Sequence, residues 1–150
     1  MIGKLTEEQI EQILKENVFG HLGCNDGYNT YVYPVNYVYD GNFILCHSTA
    51  GSKIEIMRQN KRVCLQVEEI INLAQWKSVL VQGTFQELVE ERERYTVMKA
   101  FVVKDLHQRI SATPSSHTTG NSMHQYLYGN TRPVFYRIVI DEKNGRFEDK

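Results

Sequence analysis

A chain of 150 residues with 17 Lys and Arg against 18 Asp and Glu carries a formal net charge of −1. That is enough chain for one domain and no cationic excess, which argues against a general nucleic-acid binder or a polybasic membrane binder. Hydrophobic residues at 41% and charged residues at 23% favour a packed core over disorder, and no apolar run approaches the roughly 20 residues that span a bilayer.

The acidic opening, Met1 to Glu16, has a helical pattern rather than that of a signal peptide, so a single cytoplasmic domain over 1–150 is the expectation. Thr6 and Gln9 form a capping-box pair, and Ile10, Ile13 and Leu14 make an apolar stripe. From Val18 the period changes to two. Val18 to Cys24 reads as a strand, closed by the turn Asn25-Asp26-Gly27. Thr30 to Tyr39 follows, with Val32, Pro34, Asn36 and Val38 on one face and Tyr31, Tyr33, Val35, Tyr37 and Tyr39 on the other. Asp40-Gly41 turns again, and Asn42 to His47 is the third strand.

Ser48 to Ser52 is a small-residue loop, and Lys53 to Gln59 a short helix with Ile54 and Met57 inward. Arg62 to Glu68 alternates as a strand, with Val63, Leu65 and Val67 on one side. Trp76 to Leu88 is a long strand bulged at Gly83. Glu90 to Ile110 is a helix whose stripe is Tyr95, Met98, Val102, Leu106 and Ile110, with a solvated charged start at Glu90 to Arg94. Ser111 to Gly120 reads as a surface loop. Val134 to Ile140 is the last strand, before a turn at Asn144-Gly145. Six strands and three helices, with tight turns and no crossover helix among the first three strands, give a mainly β fold: an antiparallel barrel with flanking helices. Cys24, Cys46 and Cys64 are odd in number and form no C-x-x-C, so each is expected to be a small core residue on a strand.

The stretch His47-Ser-Thr-Ala-Gly-Ser-Lys53 carries the chemistry. It runs from a strand into a helix start, where unpaired amides and the helix dipole favour an anion. Ser48, Thr49 and Ser52 add hydroxyl donors and Lys53 a compact charge, a set that suits a phosphate. The same pattern also serves as an ordinary N-cap. The P-loop spacing and the G-x-G-x-x-G fingerprint are absent, as are H-E-x-x-H and a nucleophile elbow. No metal site is expected: His117 and His124 are seven apart in loop-like sequence.

Five segments in order bear a family resemblance: Tyr33-Pro-Val-Asn-Tyr37, Phe43-Ile-Leu-Cys-His47, Gly51-Ser-Lys53, Asn60-Lys-Arg-Val-Cys64 and Ser78-Val-Leu-Val-Gln-Gly83. The array resembles the pyridoxamine 5′-phosphate oxidase-like flavin-binding split barrels, and within them the nitroimidazole-resistance (Nim-type) branch. It covers Leu5 to Leu88, with a looser match at Phe135 to Ile140.

The resemblance implies a six-stranded antiparallel FMN-binding split barrel of Greek-key type. It further implies a homodimer with FMN at two sites in the subunit interface. Pro34, Val35, Asn36 and Tyr37 would run beside the isoalloxazine ring and offer it backbone groups. His47, Ser48 and Thr49 would lie near the ribityl chain and ring, and Ser52 and Lys53 would hold the phosphate. Trp76, Lys77, Ser78 and Val79 would approach the flavin across the interface. The implied activity is an oxidoreductase reducing small nitroaromatic or related acceptors, in which His47 is the candidate catalytic group, since imidazole can donate a hydrogen bond or a proton near neutral pH. The oxidase proper carries an R-x-H pattern near its C-terminus, and Arg132-Pro133 and Tyr136-Arg137 do not supply it, which argues against pyridoxamine phosphate as substrate.

Four other expectations stand beside these. Trp76 reads as a barrel-end core residue ahead of a ring contact, and the tyrosines Tyr31, Tyr33, Tyr37 and Tyr39 as the cover of a dimer face ahead of a flavin wall. A non-enzymatic flavin- or haem-binding barrel, for which His117 and His124 would be relevant, is an alternative function. A deazaflavin (F420) dependent reductase is another.

Overall fold

The computed structural model describes residues 1–110 and 133–150. In chain order the elements are β1 (Ile2–Lys4), α1 (Glu7–Glu16), β2 (Phe19–Asn25), β3 (Thr30–Tyr39), β4 (Phe43–Thr49), α2 (Ser52–Gln59), β5 (Arg62–Asn72), β6 (Gln75–Leu88), α3 (Glu91–Ile110) and β7 (Pro133–Asp149). All the strand pairings are antiparallel, in the order β1-β7-β4-β3-β2-β5-β6, and β6 also pairs with β7. That last pairing closes six strands into a barrel, as the sequence suggests. The seventh, β1, adds to β7 at Ile2↔Glu148 and Lys4↔Arg146.

The turns follow from local chemistry. Asp26 Oδ1 accepts from the amides of Tyr28 and Asn29 at 2.8 and 2.7 Å, and Asp40 Oδ1 from those of Asn42 and Phe43 at 2.8 and 2.7 Å. Gly27 and Gly41 supply the positive φ these turns need, 94° and 97°.

The barrel interior holds Leu22, Cys24, Val35, Tyr37, Ile44, Cys46, Leu65, Val79, Tyr136 and Ile138, among others. Helix α1 adds Ile10, Ile13 and Leu14 to this core and α2 adds Ile54 and Met57. Thr6 and Gln9 complete the expected capping box of α1. Truncating Leu14 or Ile54 to Ala, both fully buried, would cost about 2–5 kcal/mol. Helix α3 packs outside the barrel, on a second cluster of Val38, Leu45, Leu88, Val97, Phe101 and Phe135.

Five sequence expectations need correction. Strand β7 does not turn at Asn144-Gly145 but pairs with β6 as far as Asp149. Gly145 serves close approach instead: a Cβ there would lie 2.7 Å from Leu5 Cδ1 and 3.1 Å from Ile10 Cγ1. Strand β1 stands where the sequence shows only the helical opening, since three residues are too few to show a period. The buried face of α3 is Val97 and Phe101, while Tyr95 and Leu106 are exposed; apolar residues occur all round this helix, so spacing alone could not choose the face. Tyr37 and Tyr39, half of the β3 tyrosine face, are buried in the core rather than free to cover a dimer face, because their phenols find acceptors on α1, whereas Tyr31 and Tyr33 are half-buried: Tyr37 Oη donates to Leu14 O at 2.8 Å and Tyr39 Oη to Glu11 Oε1 at 2.9 Å. Finally, Cys64 is half-buried, alternating with the inward Val63 and Leu65, whereas Cys24 and Cys46 are buried core thiols as expected.

Candidate functional site

Strands β3 and β4 pair only at Tyr37↔Cys46, Val38↔Leu45 and Tyr39↔Ile44. Beyond that point they part company. The earlier half of β3 stays on β2, with Pro34 opposite His21 and Asn36 opposite Phe19. The later half of β4 stays on β7, with His47 opposite Phe135 and Thr49 opposite Pro133. One lip of the resulting gap is therefore Pro34–Asn36 and the other is His47–Thr49, and the chain runs from the second lip directly into α2. The structure brings together the 34–37 and 47–53 segments singled out in the sequence.

Along β3, Pro34 and Asn36 are exposed on the outer face while Val35 and Tyr37 point inward. The Tyr37 amide already donates to Val18 O at 3.0 Å, and its carbonyl accepts from Lys104 Nζ at 3.3 Å. Among these four, Pro34 and Asn36 have side chains that can meet a ligand on the outer face.

Helix α2 begins without a side-chain cap, its Ncap being Gly51, in contrast to the full capping box of α1. The backbone at Gly51 is extended (φ 174°), and nothing lies within 4 Å of where its Cβ would be. The approach to the first α2 amides is thus open, and those amides are donors in want of an acceptor. Ser52 is exposed beside them, and Ser48 Oγ donates to Thr49 O at 3.1 Å. Lys53 Nζ lies 5.9 Å from the Tyr33 ring centroid and is in no ion pair among the described residues. Uncapped amides, a hydroxyl and an ammonium fit a phosphate group.

His47 is held between Phe101 of α3, ring centroids 4.4 Å apart and edge-on, and Phe135 of β7, at 6.4 Å. Burial, helped by the Lys53 charge, lowers its pKa from 6.5 to about 4. The imidazole is neutral at pH 7 and suited to hydrogen bonding, not to giving up a proton from an imidazolium. Burial also pushes the Cys46 thiol up to about 12, offset in part by Tyr136 and Lys53, so this cysteine is no nucleophile.

Trp76, Lys77, Ser78 and Val79 lie elsewhere. They pair with Arg146 to Glu148 and Gly145 near the end of β7 opposite to Phe135, so one chain does not bring them to the gap. Trp76 is half-buried, its indole N–H donating to Glu148 Oε2 at 3.0 Å, and with Lys77, Leu5 and Phe147 it lines a cavity of about 380 Å³. Val79 is fully buried in the core.

Two features were not anticipated. Lys104 of α3 bridges the carbonyls of Asn17 and Tyr37, and Arg94 lies over the Phe135 ring, 5.2 Å from its centroid. Both sit on the helix face that periodicity failed to select. His117 and His124 lie outside the described residues. Among those described, no three His, Cys, Asp or Glu are grouped to hold a metal, and no helix is long and apolar enough to cross a membrane.

The family model described as pyridoxamine 5′-phosphate oxidase matches residues 6–147. An uncharacterized protein of Rhizobium meliloti (strain 1021) is 29% identical over 150 residues, covering 95% of this chain and 92% of that one. The fold is similar to the crystal structure of an FAD-binding protein from Mesorhizobium loti, with TM-score 0.78 and 28% identity over 100% of this chain and 98% of the other. It is also similar to a candidate 5-nitroimidazole antibiotic resistance protein from Bacteroides thetaiotaomicron, with TM-score 0.72 and 16% identity over 98% and 87% of the two chains.

Proposed function

The chain belongs to the pyridoxamine 5′-phosphate oxidase family, and from that premise we propose that it is a flavin-dependent oxidoreductase acting on a small acceptor. The observation that carries this reading is the open, uncapped start of α2 with Lys53, in no ion pair among the described residues, set at the gap between β3 and β4. Ser52, Lys53 and the first α2 amides would bind the flavin phosphate. Pro34, Val35, Asn36 and Tyr37 on one lip and His47, Ser48 and Thr49 on the other would orient the ribityl chain and ring. When bound, the flavin supplies hydride and electron transfer. The protein's own task is to hold the ring, exclude water and place the acceptor. His47, neutral and wedged between two phenylalanines, positions rather than protonates.

FMN is the flavin implied by the sequence resemblance, and the Mesorhizobium loti relative brings FAD into the same reading. A second copy of the chain completes the site in this proposal. Pro34, Asn36, Thr49 and Ser52 are exposed, as are the nearby Phe19 and Val32 on the same sheet, and Trp76 to Val79 could reach the ring only from a partner. The three free thiols suit a reducing, cytoplasmic setting.

The Nim-type resemblance supports a small nitroaromatic acceptor. Pyridoxamine phosphate fits less well. Arg137, an arginine near the C-terminus, is committed to Gln86 at 2.7 Å and to the Phe43 ring at 4.1 Å. The direct test is consumption of reduced nicotinamide by the flavin-loaded protein with and without a nitroaromatic acceptor. Acceptor-dependent turnover supports the enzyme; bound flavin without turnover with any acceptor supports a flavin carrier instead.

A further inference from the structure

Between the C-terminal end of α1 and one flank of α3 lies a cleft of about 630 Å³, with Val38 of β3 in its wall. The volume is ordinary for a small-molecule site, about 300–1,000 Å³. It is set apart from the gap between β3 and β4. Phe101 of α3 packs on His47, whereas Thr96, Ala100, Val103 and His107, at helical spacing on another flank, face the cleft.

Its charges are one-sided. Lys15, Lys99 and Lys104 line it against a single carboxylate, Glu16, which already accepts from Gln12 Nε2 at 3.0 Å. None of the three ammoniums is in an ion pair among the described residues. Lys15 and Lys99 are exposed, while Lys104 is half-buried and donates to the carbonyls of Asn17 and Tyr37. Those carbonyls take two of its three N–H groups and supply no negative charge. Burial alone lowers its pKa, to about 8, with no carboxylate opposing the shift. Glu69 accepts from Asn17 Nδ2 at 2.8 Å and does not line the cleft. A cation drawn out of water with no counter-charge is costly, and an anion brought into the cleft offsets that cost.

The walls say what should carry the anion. Val38, Ala100 and Val103 are apolar, and Val103 is 45% exposed, a hydrocarbon surface open to an occupant. We propose that this cleft binds a small organic carboxylate, its anionic head on Lys104 and Lys99 and its hydrocarbon body against Val38, Ala100 and Val103. The site is separate from the flavin and does not depend on it. An inorganic anion would leave the apolar walls wet, and a neutral apolar molecule would leave Lys104 without a counter-charge.

The test is calorimetric titration of the purified protein, as isolated, with octanoate and with octan-1-ol as its neutral match. Octanoate is expected to bind saturably, about tenfold or more tighter than the alcohol, and to leave any flavin absorbance unchanged. Lys104→Met should weaken octanoate about tenfold or more, the worth of one hydrogen bond to a charged group, and Lys104→Arg should retain part of the affinity. Lys99→Glu, at an exposed position where folding is not at issue, should weaken octanoate and leave the alcohol unaffected. Equal affinities for the two probes, no saturable binding of octanoate, or binding that survives both Lys104→Met and Lys99→Glu would overturn the inference and leave the flavin reading untouched. Release of bound flavin by octanoate would also overturn it, by placing the anion in the flavin site.

Discussion

The ammonium of Lys104, on α3, donates to the carbonyl of Tyr37, on β3, at 3.3 Å and lies 4.7 Å from the centroid of the same residue's ring. With its second bond, to Asn17 O, it ties the outer helix to the strand that forms one lip of the gap. Burial lowers its pKa from 10.5 to about 8. Between those values the unfolded chain keeps a proton that the folded chain has released, so this group makes stability rise with pH across that window and fall as pH returns to 8. Denaturant unfolding at pH 8 and pH 10 should show the rise in the wild type, and Lys104→Met should flatten it. Parallel pH profiles for the two proteins would refute the burial.

His47 has the same sign in a lower window. Its folded pKa of about 4 lies below the ordinary 6.5, so the stability it contributes is complete above 6.5 and is lost as pH falls toward 4. His47→Leu keeps the packing against Phe101 and Phe135 and should lose stability less steeply between pH 6.5 and 4. A variant as acid-sensitive as the wild type would contradict the assignment.

Two interior tyrosines should respond differently to loss of the hydroxyl. Tyr37 Oη donates to Leu14 O at 2.8 Å, and Tyr37→Phe should cost about 1 kcal/mol, leaving a buried carbonyl short of a donor. The Tyr136 hydroxyl faces the Cys46 thiol and makes no hydrogen bond of standard geometry among the described residues. Tyr136→Phe should be neutral or slightly stabilising. Thermal melts of both variants check the contrast, and equal losses would remove its basis.

Lys53 is the most exposed part of the functional account to a single substitution. If it holds a flavin phosphate, Lys53→Ala should weaken flavin binding by roughly 1.5–3 kcal/mol, the range for a hydrogen bond to a charged group. Fluorescence titration measures it. Unchanged affinity would mean that the α2 start is an ordinary helix start.

Much of this was legible because it is local. The capping box at Thr6 and Gln9, the glycine turns at Gly27 and Gly41 and the inward alternation of Val63, Leu65 and Val67 are written in adjacent residues, and all are as expected. What local pattern could not give was the third dimension. Gly145 resembles a turn until Leu5 and Ile10 are seen packed over it. Tyr37 and Tyr39 of β3 are amphipathic either way, and only the acceptors at Leu14 and Glu11 decide that they turn inward. The α2 start was visible as His47 to Lys53, whereas Lys104 and Arg94 were hidden in a helix whose apolar residues point in every direction. Their roles depend on which side of α3 meets the barrel.

The central claim is that this barrel carries a flavin at the gap between β3 and β4. The visible absorbance spectrum of freshly purified protein, with the mass of any released chromophore, tests it most directly. The expected result is a flavin spectrum, with about one flavin per chain as an interface site in each subunit of a dimer would require, and the same band much reduced in Lys53→Ala. A colourless protein that takes up neither FMN nor FAD would contradict the claim, and a Soret band would replace it with a haem-binding one.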